Sequence, residues 1–229
     1  MMHRWLSLIT AAFLTASNAV AQNDDQQLEE EIEKMLEAVG GRDIWRQAKG
    51  FTMSEILYTD QRALPVIREY WVDFETPRIM ETSKADGLRQ TRALNQDAGW
   101  TLRNGETTEW DQETVNGWRS FWPGIPTRIF HLLASDDPGV TPVWRDGVMD
   151  FYIDDKRVVW IATDENGVPV AYGRDERHTD THFLGKPQRY GDVTLWSEAI
   201  EPGGDWRVIM VDYVLLQEPH SVSFETPPQ

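Results

Sequence analysis

The chain has 229 residues, with 38 Asp and Glu against 22 Lys and Arg, a formal charge of −16, and no cysteine. That balance argues against nucleic-acid binding, which draws its affinity from clustered Lys and Arg, and against lying on an anionic membrane. Without cysteine there is no disulfide, thiolate metal site or cysteine nucleophile, and the length suits one large domain or two small ones.

Residues 1–21 read as a secretory signal peptide. Arg4 sits in a short leading region, an apolar run extends from Trp5 to about Leu14, and Ala19-Val20-Ala21 offers the small-x-small cleavage pattern before Gln22. The apolar run is well short of the ~20 residues of a membrane span. Because Gln22 stands where a lipoprotein would carry Cys, the mature chain is expected to be soluble in the periplasm, neither lipid-anchored nor membrane-spanning.

Beyond the leader, Leu28, Ile32, Met35, Leu36 and Val39 fall at helical spacing and Glu29, Glu30, Glu33 and Glu37 take the other face, with Gly40-Gly41 as the stop. A second short helix is expected over Arg42–Lys49. After Gly50 the texture turns to strands: Phe51–Tyr58, Val66–Phe74, Arg78–Lys84, Arg89–Leu94 and Gly99–Arg103, with "RNGE" as a hairpin turn. In Val66–Phe74 the alternate positions Val66, Tyr70, Val72 and Phe74 form an apolar face.

Gln112–Asp137 breaks this pattern and reads as a loop and two short helices, the second started by Pro126 and running to about Ala134. Strands resume at Val148–Ile153, Arg157–Thr163, Val168–Arg174, a segment through Leu184, Arg189–Ile200 and Trp206–Gln217. The last reads as apolar on both faces, which needs cover on both sides. Short turns such as "DDK" and "DENG" link these strands and permit antiparallel pairing. No linker or repeat divides residues 22–229, so the expectation is one mostly β domain of about ten antiparallel strands, which must curl or close at that size.

Three stretches, in this order, carry a resemblance: "YWVDFETPRIMET" (Tyr70–Thr82), "NQDAGWTLRNGE" (Asn95–Glu106) and "IPTRIFHLL" (Ile125–Leu133). Following a signal peptide and a helix ending in "AVGG", they resemble the LolA/LolB-like periplasmic lipoprotein-carrier superfamily. The resemblance implies an open antiparallel β-barrel with an N-terminal helix and a helical insertion acting as a lid over an apolar cavity. It also implies a soluble carrier whose partner is a lipid, an acylated protein or another apolar ligand, with a membrane-bound partner on the inner or outer side. No cofactor and no catalytic motif are expected.

Candidate cavity and lid residues follow from the aromatic content. Trp118, Phe121 and Trp122 lie in the irregular insertion, where no sheet accounts for them. Phe130 and Leu133 belong to its second helix. Trp71, Trp160 and Trp196 sit inside strand patterns, where packing in the core competes with lining a cavity. His131, among apolar neighbours in "IFHLL", reads as a satisfied core or lid histidine, with a pH-sensitive gate as the sharper alternative.

One stretch stays apart. In "HTDTH", a strand would put His178, Asp180 and His182 on one face about 7 Å apart, within reach of one divalent ion. A solvated polar face explains the same residues. A metal-binding module or metal-dependent enzyme is therefore an alternative, and a ligand-free partner subunit of an envelope complex is another.

Overall fold

The computed structural model describes residues 26–145, 147–174 and 181–226. The expected signal peptide, together with His178 and Asp180, lies outside these residues. Helix α1 includes residues 26–38 and buries Ile32, Met35 and Leu36, the apolar stripe read from the sequence. Helix α2 (Arg42–Gln47) follows, with Trp45 fully buried and its indole Nε1 donating to the Val39 carbonyl at 3.3 Å.

Six strands then form a meander: β1 (Gly50–Thr59), β2 (Val66–Asp73), β3 (Arg78–Ala85), β4 (Leu88–Asn95), β5 (Ala98–Arg103) and β6 (Glu106–Glu109). The insertion comprises α3 (Gln112–Phe121), a 3-10 turn (Trp122–Gly124) and α4 (Pro126–Ala134). Asp111 caps α3 by accepting from the Thr114 amide at 2.8 Å, and Pro126 opens α4 where its missing N–H costs nothing. A second run follows: β7 (Val140–Arg145), β8 (Val148–Ile153), β9 (Lys156–Thr163), β10 (Pro169–Gly173), β11 (His182–Leu184), β12 (Pro187–Tyr190), β13 (Val193–Trp196), β14 (Glu198–Ile200) and β15 (Trp206–Leu216).

Thirteen of these strands make one antiparallel sheet in the order β6-β5-β4-β3-β2-β1-β15-β14-β11-β10-β9-β8-β7. Strand β15 pairs with β1 and so joins the two meanders. The sheet curls strongly. In the 3-10 turn, Trp122 Nε1 donates to the Asp73 carbonyl at the end of β2 (2.6 Å), while Gly124 packs against β9 so closely that a Cβ would stand 2.3 Å from the Val158 carbonyl. Strands β2 and β9 are six steps apart in the sheet order, about 29 Å if flat at ~4.8 Å per strand. A three-residue 3-10 turn spans only about 6 Å. The strands therefore wrap around the insertion, while the outermost strands β6 and β7 do not pair with each other.

Helix α4 is buried along its whole length and fills one end of the curl. Arg42 Nη1 donates to the Leu133 carbonyl and Arg46 Nε to the Ala134 carbonyl, each at 2.8 Å. These guanidiniums satisfy the last carbonyls of α4 and bring positive charge to its C-terminus. On the outer side of the sheet, the segment after β15 crosses β2–β5: Trp100 Nε1 donates to the Phe224 carbonyl at 3.0 Å and His220 Nε2 lies 2.8 Å from the Val72 carbonyl.

Three details differ from the sequence reading. Arg189–Ile200 is not one strand: Gly191, at φ 58°, turns β12 into β13, and β14 joins the large sheet separately. Strands β6 and β7 are additional. They are the sheet's two edges, and the polar "ETTE" and the Pro142-bearing "VTPVWR" suit edges, where Pro and charge block further pairing. Strand β15 is not covered on both faces. Its register slips at Val211, between the Glu55–Met210 and Ser54–Asp212 pairs, so Met210 and Tyr213 both point inward while Val211 and Val214 are exposed.

Candidate functional site: a pocket with an ion-paired band

The concave side of the sheet lines a half-open pocket of about 650 Å³. Its walls come from β1, β2, β3, β10, β11, β13, β14 and β15, with α3 and the start of α4 along one flank. The strand registers stack its inner face in rungs. Nearest α4 is an apolar rung, Leu94–Ile79–Val72–Phe51. The next is Arg92–Glu81–Tyr70–Met53, and the next Ser83–Arg68–Glu55–Met210. Beyond these the wall turns apolar and aromatic again, with Leu57, Val208 and Trp206.

The two middle rungs hold a compact ionic network. Arg92 Nη2 donates to both oxygens of Glu81 at 2.8 Å, and the Ser83 hydroxyl donates to the same carboxylate at 2.6 Å. Arg68 pairs with Glu55, whose residue exposure is only 5%. The Tyr70 hydroxyl interacts with both carboxylates. Burial raises the Glu55 carboxyl above the usual carboxylate range, and Arg68 offsets only part of that. Burial would raise Glu81 too, but Arg92, Ser83 and Arg68 together hold it below that range. The Tyr70 hydroxyl is pushed well up, first by burial and then by the Glu55 charge. Such pairs hold two charges inside a fold only when each has its partner in place.

Helix α3 closes the flank beside this band, and Val115 is its one buried residue. Trp118 packs 4.9 Å from Trp110 and receives Arg92 over its ring at 5.0 Å. Phe121, 43% exposed, carries Arg174 over its ring at 3.5 Å. At the far wall Tyr172 stacks on His182 (4.6 Å), and His182 in turn meets Trp206 (4.9 Å).

Of the residues singled out from the sequence, Trp118, Phe121 and Trp196 line the pocket. Trp122 is buried beside it, with Arg128 over its ring at 3.6 Å. Phe130 and Leu133 lie in the core of α4. Trp71 faces the other side of β2 from Tyr70 and Val72, and Trp160 the other side of β9 from Val159 and Ile161. Among the described residues no three His, Asp or Glu side chains are grouped to hold a metal ion. His182 does face the pocket. The network of Glu55, Arg68, Tyr70, Glu81 and Arg92 was not anticipated.

His131 is a satisfied core histidine. It is 9% exposed, with Nδ1 2.9 Å from the Trp45 carbonyl and its ring 5.2 Å from that of Phe74. Burial holds its pKa below the ordinary value. The unfolded chain thus takes up a proton more readily than the folded one, and stability drops as pH falls from about 6.5 toward the lower folded value. Urea unfolding of the natural chain and of His131→Gln between neutral pH and pH ~5 is expected to show a shallower loss in the variant.

No family model and no curated protein matches the chain. Among solved structures it is similar to an outer membrane lipoprotein-sorting protein domain from Vibrio parahaemolyticus, at 10% identity over 84% of this chain and 97% of that one, with a TM-score of 0.45. It is also similar to a DUF1329 family protein from Desulfovibrio piger ATCC 29098, at 10% identity over 86% of this chain and 97% of that one, with a TM-score of 0.37. No helix among the described residues is long and apolar enough to cross a membrane.

Proposed function

We propose that the protein is an exported carrier that holds one lipid, acyl chain or similar ligand inside the curled sheet, with α3 as the lid. The observation that carries this reading is the pocket of about 650 Å³, which falls in the ~300–1,000 Å³ range of small-molecule sites. Each methylene buried there would contribute about 0.8 kcal/mol. The two helices of the insertion divide the work. Helix α4 is core and stays, whereas α3 buries a single residue and is held mainly by Trp118, Phe121 and an Arg119–Asp97 pair at the surface. An element with so little buried surface opens at low free-energy cost.

The test is titration with the uncharged dye N-phenyl-1-naphthylamine. Saturable fluorescence enhancement at one dye per chain is expected, falling by about tenfold or more in affinity in Leu57→Trp, which fills the pocket from β1. An equal response in both proteins, with the variant's unfolding midpoint unchanged, would locate the dye elsewhere and defeat the reading.

A further inference from the structure

We propose that the ligand is an uncharged amphiphile, one bearing an ester, hydroxyl or amide group that sits against the Glu55–Arg68 and Glu81–Arg92 band, and not a free fatty acid or a lipid with a net charge in the pocket. The inference deepens the carrier reading and rests on it. The band is not at the rim. Phe51, Val72 and Ile79 bound it on the α4 side, and Leu57, Val208 and Trp206 bound it on the other. A chain long enough to fill both apolar ends must lay some of its atoms across the band.

A purely apolar stretch there would add to the desolvation of the buried ionic groups and offer them no hydrogen bond in return. The guanidinium side of Arg68 makes this concrete: Arg68 lines the pocket and 20% of its side chain stays accessible beside Glu55. A carbonyl or hydroxyl oxygen on the ligand gives that accessible edge a further acceptor. A net charge has the opposite effect, because the charged side chains of the wall are already engaged. Each of the three lining carboxylates has its own guanidinium: Glu55 with Arg68, Glu81 with Arg92, and Glu198 with Arg207. The remaining lining guanidinium, Arg174, is engaged over Phe121. An entering ammonium would therefore meet no carboxylate without its own guanidinium, and an entering carboxylate or phosphate would meet only guanidiniums that are already engaged.

Three probes of equal chain length separate these cases: 1-monopalmitoylglycerol, palmitate and hexadecylamine, each displacing the naphthylamine dye at neutral pH. The expected order puts the uncharged probe about tenfold or more ahead of either ion. Glu55→Gln leaves Arg68 unmatched and is expected to improve palmitate by about tenfold while monopalmitoylglycerol moves by less than about threefold. Glu198→Gln, nearer the far wall, is expected to shift palmitate in the same direction and serves if Glu55→Gln does not fold. Palmitate equal to or better than monopalmitoylglycerol on the natural protein would overturn the proposal and leave the carrier reading standing. Dye bound but displaced by none of the three would overturn it as well. A chain that binds no dye at all would remove both.

Discussion

Replacing Phe130 by Ala is expected to lower the unfolding free energy by about 3–5 kcal/mol. Phe130 is fully buried in the middle of α4 and meets the Trp45 ring edge-on at 5.3 Å. Ile129 and Trp45 are fully buried as well, and Leu133 nearly so. Helices α1 and α2 contribute the fully buried Met35 and Trp45 to the same core cluster, so the site has little freedom to collapse into the void, which places the cost toward the upper end of that range. Chemical denaturation measures it directly. A loss below about 1 kcal/mol would mean that α4 is not the plug around which the sheet curls.

Arg68→Met is expected to cost a similar amount, about 3–5 kcal/mol at neutral pH, because it leaves the Glu55 carboxylate buried without its partner. The pH dependence carries the diagnosis. Burial already places Glu55 above its ordinary value in the folded protein, and removing Arg68 takes away a group that holds it down. A carboxyl raised on folding favours the folded state below its unfolded pKa, and that advantage is lost as pH rises through the folded value. The variant should therefore be closer to the natural protein near pH 4 and fall behind it toward pH 7. Adding Glu55→Leu should recover most of the loss, since a buried pair replaced whole by apolar groups is often neutral or stabilising. A pH-independent deficit that the second substitution fails to relieve would show that packing, not the uncompensated charge, sets the cost.

Much of the fold was legible because local physics and tertiary context agree. The α1 stripe, Pro126 at the start of α4 and the "RNG" turn, where Asn104 and Gly105 both adopt positive φ, each have a local cause. The edges β6 and β7 were not legible, since an edge strand is polar or Pro-bearing by design and so lacks the pattern that reveals a strand. Val211 shows a second limit: one bulged residue inverts the parity of everything after it, and no composition cue in "VIMVDYV" marks the slip.

The candidate site was half visible. Trp118 and Phe121 stood out because nothing regular explained them. The ionic band was hidden in plain alternation. Arg68 shares the parity of Val66, Tyr70 and Val72, and Glu55 that of Phe51, Met53 and Leu57, so both charges lie on the apolar face of their strands. A charged residue at an inward position, matched by an opposite charge on the next strand, is the cue that locates such a band. Without the register, which pairs Glu55 with Arg68 and Glu81 with Arg92, the cue has no partner to point to.

Whether the pocket carries a ligand is read out by native mass spectrometry of the full chain recovered from an exporting cell, without added ligand. A mature species beginning at Gln22 is expected, carrying one adduct of lipid mass per chain that is lost on collisional activation and absent from Leu57→Trp. A bare natural chain, or an adduct that persists unchanged in Leu57→Trp, would contradict the proposal that this pocket is where the protein carries its ligand.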